Sequence, residues 1–184
     1  MIGGALLICS ASGCKESRWT PMGSAEVVLS EIKVGGAASV AKRFDANESF
    51  GRSVVNGIAS GDSMWLEVAD RITPASATAE ASINIALAEA LTKTPAPVLG
   101  LLGAKYQTDE VCGMPFLKAD SSTVMAYHDS AARALQSVQL PFLLDVRNRC
   151  LAALDTARNR RLERINPAYV IKNKPTPVRR RSRR

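Results

Sequence analysis

Residues 121–154 read SSTVMAYHDSAARALQSVQLPFLLDVRNRCLAAL, and their spacing decides the fold. Val124, Tyr127, Ala131, Ala134, Leu135 and Val138 recur every three or four positions, forming one stripe of a helix that runs to Gln139. Asp120 or Ser121 can cap its start, because a short polar side chain accepts from the free N–H groups of a first turn. Leu140-Pro141 then opens a last helix. Its buried face carries Leu143, Val146, Cys150 and Ala153, flanked by Leu144, Leu151 and Leu154. Two such stripes joined by a short turn are most simply buried as a helix pair.

The same reading extends upstream. Phe50, Val54, Val55 and Ile58 mark a helix starting near Asn47 that Gly61 ends, and Asp62 can cap the next. That helix, Ser63 to Ile72, offers Trp65, Leu66, Val68, Ala69 and Ile72 to a core. Thr73-Pro74 predicts the opening of a third, with Ile83, Leu87, Ala90 and Leu91 on one stripe up to about Lys93. Thr94-Pro95 repeats that opening for a short apolar helix through Val98, Leu99, Leu101 and Leu102, closed by Gly103. Residues 104–120 read as irregular, with Cys112-Gly113-Met114-Pro115-Phe116 a turn pinned to the body. Residues 25–34 are ambiguous: Val27, Leu29 and Ile32 can lie along a strand while Ala and Glu suit a helix equally, and the reading taken is a short strand or hairpin edge.

The expected fold class is mainly all-α: an antiparallel helix bundle or a short HEAT-like helical stack, with a short N-terminal strand and a disordered C-terminal tail. The expected division is a leader at 1–14, a linker or arm at 15–46, a helical domain at 47–164 and a basic tail at 165–184.

Composition agrees. The chain of 184 residues is 46% hydrophobic but only 5% aromatic, so its core must be aliphatic, and Ala and Leu lose little freedom in a helix. The net charge of +7 is local. Seven of the 24 basic residues lie at or beyond Lys172, where no acid occurs, leaving 17 basic against 17 acidic groups in the body. The pI of about 9.5 is thus a property of the tail, and the body carries no net bias toward a polyanion. Arg179, Arg180, Arg181, Arg183 and Arg184 could hold an anionic surface such as lipid head groups or nucleic acid. No aromatic is interleaved with them for base stacking, which disfavours nucleic acid. The plainer alternative is a solubilising end that touches nothing specific.

Ile2–Cys9 is a short apolar run followed by Ser10-Ala11-Ser12-Gly13-Cys14, in the manner of a bacterial secretory signal. Ala11-Ser12-Gly13-Cys14 resembles a lipobox, in which Cys14 would be lipidated, although Ala11 stands where leucine is usual and no basic residues precede the run. The alternative is an apolar N-terminus on a cytosolic protein. Outside the leader only Cys112 and Cys150 remain, 38 positions apart, with no CxxC pair and one histidine in the chain. That disfavours a metal site. In an exported chain the two would form one bridge, contributing on the order of 3–4 kcal/mol through loop entropy. Otherwise they are two buried thiols.

No catalytic constellation stands out. His128 adjoins Asp129, but successive helical residues point to different faces, and His128 lies one step off the apolar stripe, at an expected rim position. Asp109, Glu110 and Asp120 could pair as acid and base, yet loop and cap charges account for them. Gly57-Ile58-Ala59-Ser60-Gly61-Asp62 lacks the strand and the Lys-Ser/Thr of a phosphate loop. The expectation is a non-enzyme without cofactor or metal, acting on a protein partner, with peripheral membrane association through a lipid or the basic tail.

Three local patterns, Ala59-Ser60-Gly61-Asp62 followed by Trp65-Leu66, Val111-Cys112-Gly113-Met114-Pro115-Phe116, and Arg149-Cys150-Leu151, give residues 57–157 a family likeness. The stretch resembles a group of small secreted proteobacterial helical proteins. The resemblance implies a periplasmic helical domain with Cys112 paired to Cys150, and it implies no activity.

Overall fold

The computed structural model describes residues 23–115 and 120–165. Among these residues the chain forms nine α-helices and no strand, so the protein is all-α. They are α1 (Ala25–Gly35), α2 (Ala37–Ala46), α3 (Glu48–Ser60), α4 (Ser63–Arg71) and α5 (Ala77–Leu91). After these come α6 (Pro95–Leu101), α7 (Thr108–Cys112), α8 (Ser121–Gln136) and α9 (Leu144–Ile165), the last entered through a 3-10 turn at Pro141–Leu143.

Polar residues set several of the boundaries. The Asp62 carboxylate accepts from the N–H groups of Met64 (2.9 Å) and Trp65 (3.2 Å) to start α4, and Gly61 ends α3 at φ +77°. Asp120 accepts from Thr123 N–H at 2.8 Å to start α8. Its carboxyl is held below the usual carboxylate range, first by that backbone bond and then by the Ser122 hydroxyl. One expected start moves: Ser76, not Thr73, caps α5 by accepting from Ala79 N–H at 3.1 Å. Thr94 does precede α6, but its hydroxyl donates to Gly61 O at 3.2 Å instead of capping the helix.

The core is organised around α5. Alanines on several of its faces keep it thin, and Ala79, Ile83, Ala86, Leu87, Ala88, Ala90 and Leu91 are all buried. Helices α3, α6, α7 and α8 each pack against it. In a HEAT-like stack each unit would touch only its sequence neighbours, so the arrangement is a bundle around a central helix. Tyr106 and Tyr127 reinforce the packing by donating their hydroxyls to Ala69 O (2.7 Å) and Ala88 O (2.9 Å).

Residues 25–46 correct the reading as an arm with a strand. Ala25, Val28, Leu29 and Ile32 follow a spacing of three and four, and Ala25 and Val28 are buried in the common core while Leu29 and Ile32 pack against it. Gly36, at φ +82°, makes the turn into α2, whose Val40, Ala41 and Phe44 are also buried. Arg43 joins the three N-terminal helices: it pairs with Glu31 at 2.6 Å and lies 4.0 Å over the Phe50 ring.

Candidate functional site

Cys112 and Cys150 form a disulfide with Cα atoms 5.3 Å apart, and both residues are fully buried. The five-residue α7 is thereby fastened to the first half of α9. Two further contacts hold the segment. Asn84 of α5 donates to the Glu110 carboxylate at 2.8 Å. Arg161 donates to Met114 O at 2.6 Å, while the Met114 side chain is buried. Met114 itself sits at φ +57°, a region that methionine seldom occupies.

Beside the disulfide lies an open groove of about 830 Å³. On the α9 side Arg149, Arg160, Arg161 and Arg164 line it, with the small residues Ala152, Ala153, Thr156 and Ala157 between them. Opposite stand Gly103, Gln107, Thr108, Asp109 and Gly113, from the turn before α7 and from α7 itself. The pattern follows from helix geometry: at about 100° per residue, Arg149 and Arg160 fall roughly 20° apart around the axis, with Ala153, Thr156 and Ala157 on the same side. Long side chains at the ends and short ones between them leave a channel.

Four guanidiniums therefore meet one carboxylate, that of Asp109. Arg149 also pairs with Asp145 at 3.3 Å, on an exposed part of α9. Burial, and then the like charge of Arg164, lower the affinity of Arg161 for its proton. The lining matches an oxyanion-holding surface, since guanidinium N–H groups fit phosphate and carboxylate oxygens in pairs.

The three carboxylates weighed and set aside as an acid–base pair do not converge on this groove. Asp109 lines it, Glu110 is taken up by Asn84, and Asp120 caps α8. The rim position expected for His128 is overturned: the residue is 7% exposed. Its Nε2 lies 2.8 Å from Asp155 Oδ1 on α9, and its Nδ1 lies 3.1 Å from Asp129 Oδ1. The neighbouring carboxylate thus does reach the ring, and Arg158, 3.6 Å from Asp155, completes the cluster. His128 lines neither the groove nor the second cleft, and the cluster ties α8 to α9.

That second cleft, about 490 Å³ and mainly apolar, lies between Pro95-Ala96-Pro97 and Val138-Gln139-Leu140. In the following turn Phe142 is exposed. Gly57–Asp62, set aside as a phosphate loop, forms the end of α3 and the turn into α4.

Among the described residues no group of three or more His, Cys, Asp or Glu side chains is placed to hold a metal ion. No described helix is long and apolar enough to cross a membrane. Cys14 and Arg179, Arg180, Arg181, Arg183 and Arg184 lie outside the described residues, as does Phe116 of the cysteine loop. The groove was not anticipated from sequence, although the recurrence Arg149, Ala153, Ala157, Arg160, Arg164 carried its signal. Comparison of the chain with known protein families, curated proteins and solved structures found no match.

Proposed function

We propose that this chain is an exported helical module of the cell envelope that holds a partner and carries out no reaction on it. The observation that carries this reading is the Cys112–Cys150 bond, which joins the two sides of the arginine-lined groove. Such bonds persist in oxidising compartments and are rare where thiols are kept reduced. The apolar run Ile2–Cys9 and the small residues leading to Cys14 support export, with lipidation of Cys14 as the means of anchoring. The likeness to small secreted proteobacterial proteins points to the same compartment.

Fractionating cells of the natural host and sequencing the mature N-terminus by mass spectrometry tests the reading. The expected result is a chain in the periplasmic or membrane fraction, cleaved within the first fourteen residues or carrying lipid on Cys14. Recovery from the cytosol with the leader intact would overturn it.

A second reading takes the basic tail as the binding element, resting on an anionic surface of lipid head groups. It draws on the concentration of Arg158, Arg160, Arg161 and Arg164 at the end of α9, immediately before the tail. Changing Arg179, Arg180, Arg181, Arg183 and Arg184 to glutamine and measuring retention on anionic vesicles at two salt concentrations tests it. Unchanged retention removes it.

A further inference from the structure

We propose that the groove between α7 and α9 binds an extended soluble oligophosphate. The inference rests on the reading of the chain as a binding module and names the ligand class. The first ground is charge: four guanidiniums against one carboxylate in a concave site. Among the described residues neither Arg160 nor Arg164 makes an ion pair, so no described carboxylate neutralises the positive charge at this end of the groove. Arg160 and Arg164 stand one turn apart beside Arg161, which holds Met114 O, and a phosphoryl group with its several oxygens and more than unit charge matches the exposed pair better than a lone carboxylate.

The second ground is length. Arg149 stands eleven residues before Arg160, which is ~17 Å along the axis at 1.5 Å per residue. A single phosphate cannot span that distance, whereas a chain of them can lie over Ala153 and Ala157, whose small side chains leave the space. Thr108 and Gln107 face the same space from the other side and can donate to bridging oxygens. The third ground is shape: Arg149, Arg160 and Arg164 are exposed along the groove and Arg161 is half-buried in its wall, so the basic groups follow a narrow concave path that a linear polyanion can trace.

The test uses the full chain with its disulfide intact and with the tail changes Arg179→Gln, Arg180→Gln, Arg181→Gln, Arg183→Gln and Arg184→Gln, so that the tail cannot hold the probe. Titration calorimetry with linear inorganic polyphosphate should show saturable binding. Arg160→Gln with Arg164→Gln should weaken it at least tenfold while the melting temperature stays within a few degrees. Arg149→Gln should weaken long polyphosphate but leave inorganic tripolyphosphate unchanged, because the shorter probe does not reach from the cluster to that residue. Absence of saturable binding would overturn the proposal, as would indifference to the paired arginine change. So would stronger groove-dependent binding to phosphatidylglycerol vesicles than to polyphosphate. None of these outcomes depends on where the chain resides in the cell, so export and the groove's ligand stand or fall separately.

Discussion

Gly57 lies inside α3, where alanine would ordinarily be the better residue by about 0.5–1 kcal/mol. Here the indole of Trp65, from α4, lies flat against the glycine. A Cβ added at Gly57 would overlap the Cδ2 and Cε2 atoms of Trp65 and stand 2.7 Å from its Cγ. Carbon atoms pack at about 3.5–4.0 Å, so the ring must move by roughly 1 Å or more. Trp65 is partly exposed and can swing outward, but only by giving up its packing between α3 and α4. Overpacking of this kind costs about 1–3 kcal/mol, which exceeds the helix gain. Gly57→Ala should therefore destabilise the protein by about 1–2 kcal/mol. In a Trp65→Ala background the obstacle is gone, and the same change should stabilise by about 0.5–1 kcal/mol. The resulting coupling, roughly 2 kcal/mol, is readable from urea denaturation of the four proteins in a double-mutant cycle followed by far-UV circular dichroism. Stabilisation by Gly57→Ala alone, or the same effect in both backgrounds, would refute the placement of Trp65 on Gly57.

Reducing the disulfide should lower the urea midpoint by the equivalent of about 4 kcal/mol and steepen the transition, since an unbridged chain unfolds to a less restricted state. Asp62→Ala should cost about 1 kcal/mol, with Asp62→Asn or Asp62→Ser retaining most of the cap, in thermal melts of the three variants. Burial pushes the hydroxyls of Tyr106 and Tyr127 well above the ordinary tyrosine range. The folded state then keeps protons that the unfolded state loses. Stability should be unaffected by these groups below about pH 10 and decline as the pH rises from there toward the elevated folded values. Tyr106→Phe should blunt that decline in denaturation measured from pH 8 to pH 11, and an unaltered decline would show that burial at Tyr106 does not produce it.

Helices α3 to α6, α8 and α9 were legible because aliphatic stripes at helical spacing coincide with strong punctuation at Gly61, Asp62, Thr94-Pro95, Gly103 and Asp120, whereas α7 (Thr108–Cys112), within a stretch read as irregular, is too short to show a stripe. The two N-terminal helices were missed, α1 for a physical reason. Val27 and Leu29 alternate well enough to suggest a strand, and only contact with the rest of the core selects the other set, Ala25, Val28, Leu29 and Ile32. The opening of α5 misled in a similar way, since Thr73-Pro74 offers a good start that Ser76 takes instead. His128 was misplaced because the stripe of α8 says nothing about Asp155, twenty-seven positions away on another helix, which makes burial of the ring tolerable.

The candidate site was hidden by a sum. A body with equal numbers of acidic and basic groups has no net charge, yet net charge does not describe where charges lie. Asp145, Asp155 and Glu163 fall outside the groove lining on α9, whereas Arg149, Arg160, Arg161 and Arg164 gather along it. The opposite side of the groove is set by a disulfide between segments far apart in sequence, and no local pattern conveys that.

The direct measurement is disulfide mapping of protein taken from its natural host, with free thiols alkylated at lysis and peptides analysed without reduction. The account predicts a linked peptide pair containing Cys112 and Cys150, with neither residue alkylated until a reductant is added. Alkylation of both residues at lysis after denaturation would mean that α7 is not fastened to α9 in the cell, and it would contradict both the compartment and the groove that depends on it.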